Sequence, residues 1–201
     1  MEVIYKFFGR RRFLSNDYKT AISYNGLTYQ NAESAFQAQK CLERAYEFVG
    51  LRPNEAIALG NTVELRTDWD KVRDGVMYEI VRCKFVQNSK IRRQLVDTAG
   101  SEIVWSNFCH ENHFGDCSCE KCAEIKGENI LGNILMILRQ EFIDGFLTTS
   151  PHSSLVFSDN VDYRDDYYFN AFSKTAILKG ETFAVNRADY QNDDAEDIEA
   201  K

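Results

Sequence analysis

Residues 67–88, TDWDKVRDGVMYEIVRCKFVQN, constrain the fold more than any other stretch of the chain. Val72, Val76, Ile80 and then Cys83 or Lys84 recur at helical spacing, and Thr67 or Asp68 stands where an N-cap belongs. A helix of about 20 residues is roughly 30 Å long, the width of a small domain. Whatever else the chain forms must pack along it.

Four further stretches carry the same period. Asn31 reads as an N-cap for a helix reaching about Tyr46. Its apolar arc is Ala35, Ala38, Cys41, Leu42, Ala45 and Tyr46, and its opposite arc is Glu33, Gln37, Lys40 and Arg44. PNEAIALGN has Pro53 near a helix start and Gly60 near its end. SKIRRQLVDTAG predicts a shorter helix closed by Gly100, and NILGNILMILRQEF one that buries Ile130, Ile134, Ile137 and Leu138. Extended structure is expected only in short pieces: VIYKFF, SEIVWSNF, and AISYNGLTY, whose Asn-Gly pair between β-prone runs signals a hairpin. The fold class is therefore mainly α with a small β-sheet (α+β), as one compact unit over residues 1–145. Residues 146–201 read as a C-terminal extension whose acidic end, 189–201, is expected to be flexible.

The charge supports that division. In the last thirteen residues six acids face Lys201 alone, so five of the seven excess negative charges of the 201-residue chain sit there. The nearly neutral body argues against a broad duplex-binding surface, but leaves room for an enzyme that grips one or two phosphates. The longest apolar run, ILMIL at 134–138, is far too short to cross a bilayer, and MEVIYKFFGRRR lacks the order of a signal peptide. The expected setting is the cytoplasm, with six reduced cysteines, no membrane association and no protein partner that the sequence names.

Three constellations carry chemistry. Glu33, Gln37, Lys40 and Arg44 form either a solvated helix face or an acid and an amine aimed at a substrate; by spacing alone the solvated face is the simpler reading. CHENHFGDCSCEKC supplies Cys117, Cys119 and Cys122 as candidate ligands of a structural zinc, the fourth to come from His110, His113 or Cys109. Only Cys119 and Cys122 have CxxC spacing, so reduced bystander thiols are the other reading. KGENILGN places Gly127 and Gly132 about a helix start, where backbone amides are able to hold a phosphate or merely to satisfy local geometry.

Taken together these segments resemble the NADAR superfamily, also called YbiA-like. FLSN (13–16) is similar to its Leu-Ser-Asn segment, YQNAESAFQAQK to its glutamate-to-lysine helix, and LGNTVELRTDWDKVRDGVM to its Arg-x-Asp-Trp segment. CKF precedes the next helix, and GENILGNILMILRQ resembles the closing Gly-x-Asn-x-Leu-Gly motif. The likeness runs from about residue 4 to 142. The family's Asp-Asn-x-Trp-Gly loop here reads ENHFG (111–115), with Glu111 for aspartate and Phe114 for tryptophan. Cys109 stands where many members have another tryptophan, and Asn61 where arginine is common. A branch with a Cys-rich insertion after this loop resembles the chain more closely than the riboflavin branch does.

The resemblance implies a mainly helical fold and cleavage of an N-glycosidic bond on a riboside, with no cofactor required for catalysis. It implies Lys40 as a nucleophile forming a Schiff base, Glu33 as acid/base, Glu111 as a second carboxylate, and Gln37 as an orienting partner. Asn16, Arg66, Phe114, Gly115 and Asn129 are the implied substrate contacts, with Phe114 as a stacking platform. Arg44 is expected to help keep the Lys40 amine unprotonated. The expected substrate is ADP-ribosylated guanine in nucleic acid or nucleotides. The alternatives are a riboflavin-pathway ribosylamine phosphate, or ADP-ribose binding without turnover.

Overall fold

The computed structural model describes residues 2–145; the expected extension and its acidic end lie outside the described residues. The long helix forms as predicted. It runs Trp69–Val86 and buries Val72, Tyr78, Ile80, Val81, Lys84 and Phe85. In chain order the elements are β1 (Val3–Ile4), β2 (Ile22–Tyr24), β3 (Leu27–Tyr29), α1 (Ala32–Ala38), α2 (Pro53–Gly60) and this long helix, α3. They continue with α4 (Ser89–Val96), β4 (Glu102–Ile103), β5 (Ser106–Asn107), β6 (Asp116–Cys117) and α5 (Ile130–Asp144). Short 3-10 turns cover Gly9–Leu14, Leu42–Phe48 and Glu120–Cys122.

The small β component is three separate two-stranded ribbons instead of one sheet. β2 and β3 pair antiparallel about Asn25-Gly26, both at positive φ (47° and 78°), the turn that an Asn-Gly pair favours. β1 pairs parallel with β4, in register Ile4 to Ile103, and β5 parallel with β6, in register Asn107 to Cys117. The β1–β4 pair ties residues far apart in sequence, and in both parallel pairs only two residues from each strand take part, so periodicity alone could not reveal them. α3 and α5 pack together, and the Tyr78 hydroxyl donates to the Glu141 carboxylate between them at 2.8 Å. Among the described residues no helix is long and apolar enough to cross a membrane.

The opening helix departs from expectation. It ends at Ala38, and the chain re-forms as a 3-10 turn at Leu42–Phe48. In a continued helix the Lys40 carbonyl would accept from Arg44. Here it accepts from the Arg66 amide at 2.8 Å, while the Arg44 amide bonds to the Cys41 carbonyl at 3.2 Å. The Gln39 side chain adds a second brake, donating to the Ala35 carbonyl and accepting from Asn25 on the hairpin. A single-helix wheel to Tyr46 therefore misassigns the faces. Leu42 and Tyr46 are exposed, whereas Gln37 from the polar arc is buried.

Candidate active site

α1 starts where Asn31 caps it, accepting from the Ser34 amide at 2.7 Å. The Asn31 amide and the Ser34 hydroxyl both donate to the Leu51 carbonyl, which fixes the helix start against the segment that leads into α2. Ala32, Ser34, Ala35, Phe36, Gln37 and Ala38 are all buried, so this is a core helix and not a surface one. The solvated-face reading of Glu33, Gln37 and Lys40 is thereby corrected: the packing of α1 against α2 and α3 takes that face inside.

Glu33 keeps part of its side chain open, yet its carboxylate lies in a dense protein environment. Burial pushes its pKa above the usual carboxylate range, a hydrogen bond from Gln37 works the other way, and the charges of Asp17 and Glu111 add to the rise. That hydrogen bond runs from Gln37 Nε2 to Glu33 Oε1 at 2.8 Å. Lys40, half-buried two residues past the helix, has its pKa lowered by burial, with Glu33 opposing the drop. Arg44 plays no part in this. Its guanidinium is bidentate to Glu47 at 2.8 and 2.7 Å on the exposed side, and burial alone lowers Lys40.

Two residues that sequence reasoning passed over join the site. Asp17 follows FLSN and acts electrostatically on Glu33. Lys84 is fully buried beneath the same loop, donates to the Ser15 carbonyl at 2.8 Å, and is pushed down to about 7 by burial, with Asp17 opposing. The signal for Lys84 was present: a lysine four residues after Ile80 occupies an apolar position of the long helix. Asn16 lies between these groups. Its carbonyl accepts from the Glu33 amide, its side-chain nitrogen meets Met77 Sδ at 3.3 Å, and its buried Oδ1 has no partner among the described residues.

The loop between β5 and β6 brings the second carboxylate. Glu111 Oε1 accepts from the amides of His113 and Phe114 at 2.8 and 2.9 Å, so the side chain caps its own loop while its charge reaches Glu33. Phe114 is not an open platform. It is buried, edge-on to Phe36 of α1 at 5.4 Å between ring centroids and against His113 at 4.8 Å. Its packing on Phe36 places Glu111 over the same helix that carries Glu33.

Three implied substrate contacts also have structural work. Gly115 admits no side chain, because a Cβ there would stand 2.6 Å from the Trp105 carbonyl. Asn129 uses both ends of its amide on the backbone, accepting from Trp105 and donating to the Ile103 carbonyl, each at 2.9 Å. Arg66 is bidentate to Asp68, and its backbone amide is what holds Lys40. The phosphate reading of KGENILGN is corrected as well. The amides of Gly127 through Leu131 bond to Asp116, Asn112, Gly115, His113 and Phe114, so no cluster of free donors remains at the start of α5. Those bonds clamp the Glu111 loop to the helix.

Side chains able to hold a metal lie at the outer end of that loop, where His110, Cys117, Cys119 and Cys122 converge. His113 is drawn away to Asp74 and Glu128, at 2.6 and 2.9 Å, and Cys109 is exposed, its Sγ directed to Asn107.

Comparisons with known proteins place the chain in a family. The chain is 33% identical over 125 residues to the N-glycosidase YbiA of Escherichia coli, covering 60% of this chain and 74% of that relative. It is 31% identical over 154 residues to a riboflavin biosynthesis protein of Vibrio vulnificus, covering 74% of this chain and 39% of that one. The NMR structure of Escherichia coli YbiA shares the fold with a TM-score of 0.61 at 29% identity, over 72% of this chain and 88% of that one. The NADAR domain profile matches residues 4–143, which span every site element described above, and the chain belongs to the NADAR domain family.

Proposed function

We propose that the protein is an N-glycosidase that cleaves a ribose–base bond through a Schiff base on Lys40, with Glu33 as its acid/base. One observation carries the reading: burial raises the acid and lowers the amine at the same spot. Each shift favours the neutral form. A protonated carboxyl is able to give up a proton and a neutral amine is able to attack, which are the states this reaction needs.

Glu33 protonates the ribose ring oxygen while the base nitrogen's lone pair opens the ring to an imine at the anomeric carbon. The Lys40 nitrogen adds to that carbon. The base leaves with a proton, and its bonding pair stays on its own nitrogen. Water then adds to the lysine imine as Glu33 takes its proton and passes it to the lysine nitrogen; as the free amine departs, Glu33 keeps the proton of the new hydroxyl, which restores the acid, and the sugar leaves as an aldehyde that recloses. The sum is one water consumed per bond cleaved. Gln37 holds the Glu33 carboxylate in place, and the unpartnered Asn16 Oδ1 is an acceptor for a ribose hydroxyl.

For the substrate, the Cys-rich loop beside Glu111 favours ADP-ribosylated guanine. The likeness to a riboflavin biosynthesis protein favours a ribosylamine phosphate as the second reading. The test offers each compound separately and measures the freed sugar. Release of ADP-ribose from a modified guanine oligonucleotide supports the first. Turnover of the ribosylamine phosphate alone selects the second, and turnover of neither, with no borohydride-trapped adduct on Lys40, leaves a binding module.

A further inference from the structure

We propose that His110, Cys117, Cys119 and Cys122 bind one zinc ion as a closed structural site. Four observations converge on it. The four ligand atoms already lie within 4.8 Å of one another. The Nδ1 of His110 is 3.4 Å from the Cys122 sulfur and 3.3 Å from that of Cys119. A tetrahedral zinc with bonds of about 2.3 Å to sulfur and about 2.0 Å to nitrogen has sulfur–sulfur edges of about 3.8 Å and sulfur–nitrogen edges of about 3.5 Å. Two of the three imidazole edges are thus in place, and the remaining separations, none above 4.8 Å, exceed their tetrahedral edges by about 1 Å at most.

The backbone is arranged for this convergence. His110 has a positive φ of 64°, an uncommon conformation for any residue with a side chain, and it leaves Nδ1 facing the thiols of Cys119 and Cys122. Cys117 and Cys122 are buried although they lie in a polar loop outside the main core. Cys119 and Cys122 are bound into one tight turn by a Cys122 amide to Cys119 carbonyl bond of 3.0 Å. The Cys117 amide is held by Asn112 Oδ1 at 2.8 Å, and the neighbouring Ser118 amide by the Asn107 carbonyl at 2.9 Å.

Three thiolates and one imidazole are the donor set of a structural zinc site, leaving no open position for a reacting water. Its effect on the fold runs through Asn107 and Asn112. Asn107 also holds the Glu111 carbonyl at 2.7 Å, and the Asn112 carbonyl accepts from Glu128 at the approach to α5. The zinc therefore staples the exposed end of the loop whose inner end carries Glu111 and Phe114. The site stands or falls independently of the proposed glycosidase activity, because its readout is metal content.

The experiment uses the full chain purified under reducing conditions without chelator. Elemental analysis is expected to give one zinc per chain, and cobalt exchanged into the protein is expected to show thiolate-to-cobalt charge-transfer absorption. His110→Ala alters an exposed residue and so tests ligation without threatening the core. It and Cys119→Ser are each expected to lose the stoichiometric zinc to a chromophoric chelator that the parent protein resists. Parent protein with six titratable thiols and no zinc uptake overturns the site. Zinc retained by His110→Ala as firmly as by the parent overturns the imidazole as its fourth ligand.

Discussion

Glu33 and Glu111 act on one another electrostatically in the candidate site, yet they are held by opposite means. Glu33 stands on a helix whose other residues are all buried, and among the described residues only Gln37 donates a side-chain hydrogen bond to it. Glu111 stands on a loop with exposed Phe108, Cys109 and His110 before it, and its carboxylate is occupied by the His113 and Phe114 amides. The first carboxylate is positioned by the core and left chemically unsettled. The second is chemically settled and does the positioning. On the proposed mechanism the two acids divide the labour between reaction and support, and substitutions should separate them.

The largest effect is expected at Lys40. Lys40→Arg keeps a cation at the end of α1 but offers no neutral amine, so turnover should fall on the order of 10³-fold or more. The fold should hold, since the backbone bond from Arg66 to the Lys40 carbonyl does not depend on the side chain. Measurement of turnover beside melting temperature checks both halves, and near-normal turnover would sink the covalent role. Lys84 makes the control. It is the more deeply buried amine, so Lys84→Met should leave the borohydride adduct on Lys40 in place.

Next comes Glu33→Gln, which should cost about 10²- to 10⁴-fold in rate, the range for a lost general acid/base. Stability should move the other way. Because burial raises its folded pKa above the unfolded value, the folded protein binds the extra proton between the two, and its stability falls as pH climbs through that window. Glutamine carries no such penalty. The melting temperature of the variant relative to the parent should therefore increase as pH rises above the usual glutamate range. A parent protein that gains on the variant with rising pH would mean that the folded state lowers the Glu33 pKa, as a close cation does, and does not raise it.

Glu111 should behave differently. Glu111→Gln retains an oxygen able to accept from both amides and is expected to keep activity within about tenfold, whereas Glu111→Ala removes the cap and should cost about 1–2 kcal/mol of stability. If Glu111→Gln loses as much turnover as Glu33→Gln, Glu111 handles a substrate proton and the division of labour is wrong.

Much of this arrangement was legible in the sequence, and the misses share a cause. The long helix, the Asn-Gly hairpin and the Asn31 cap are local events, and local spacing found them. The end of α1 was misplaced because a distant amide, that of Arg66, takes the Lys40 carbonyl. Gly115 and Asn129 could be identified by resemblance as site residues, but only three-dimensional contact with Trp105 and Ile103 reveals them as packing and clamping residues. Lys84 was placed at a core position by its spacing and was still not read as a buried charge, because a lone lysine in an amphipathic helix usually swings out to solvent.

The smallest effect expected is also the most direct probe of how the core tunes Glu33. Gly60, the last residue of α2, meets Gln37 of α1 so closely that a Cβ there would stand 2.1 Å from Gln37 Oε1. Gly60→Ala forces chiefly the flexible end of Gln37 to move, while the Gln37 Cβ, 3.2 Å away, gives by a few tenths of an ångström. The Gln37 oxygen has no hydrogen-bond partner to lose among the described residues, but turning the amide draws its nitrogen off Glu33. Since that bond holds the Glu33 pKa down against burial, its loss should raise the pKa further. The limb of the pH–rate profile that reports protonated Glu33 should then shift to higher pH, with turnover on its plateau reduced about tenfold or less and melting nearly unchanged. A profile that stays in place while the rate falls would show that Gln37 serves the substrate and not the carboxylate.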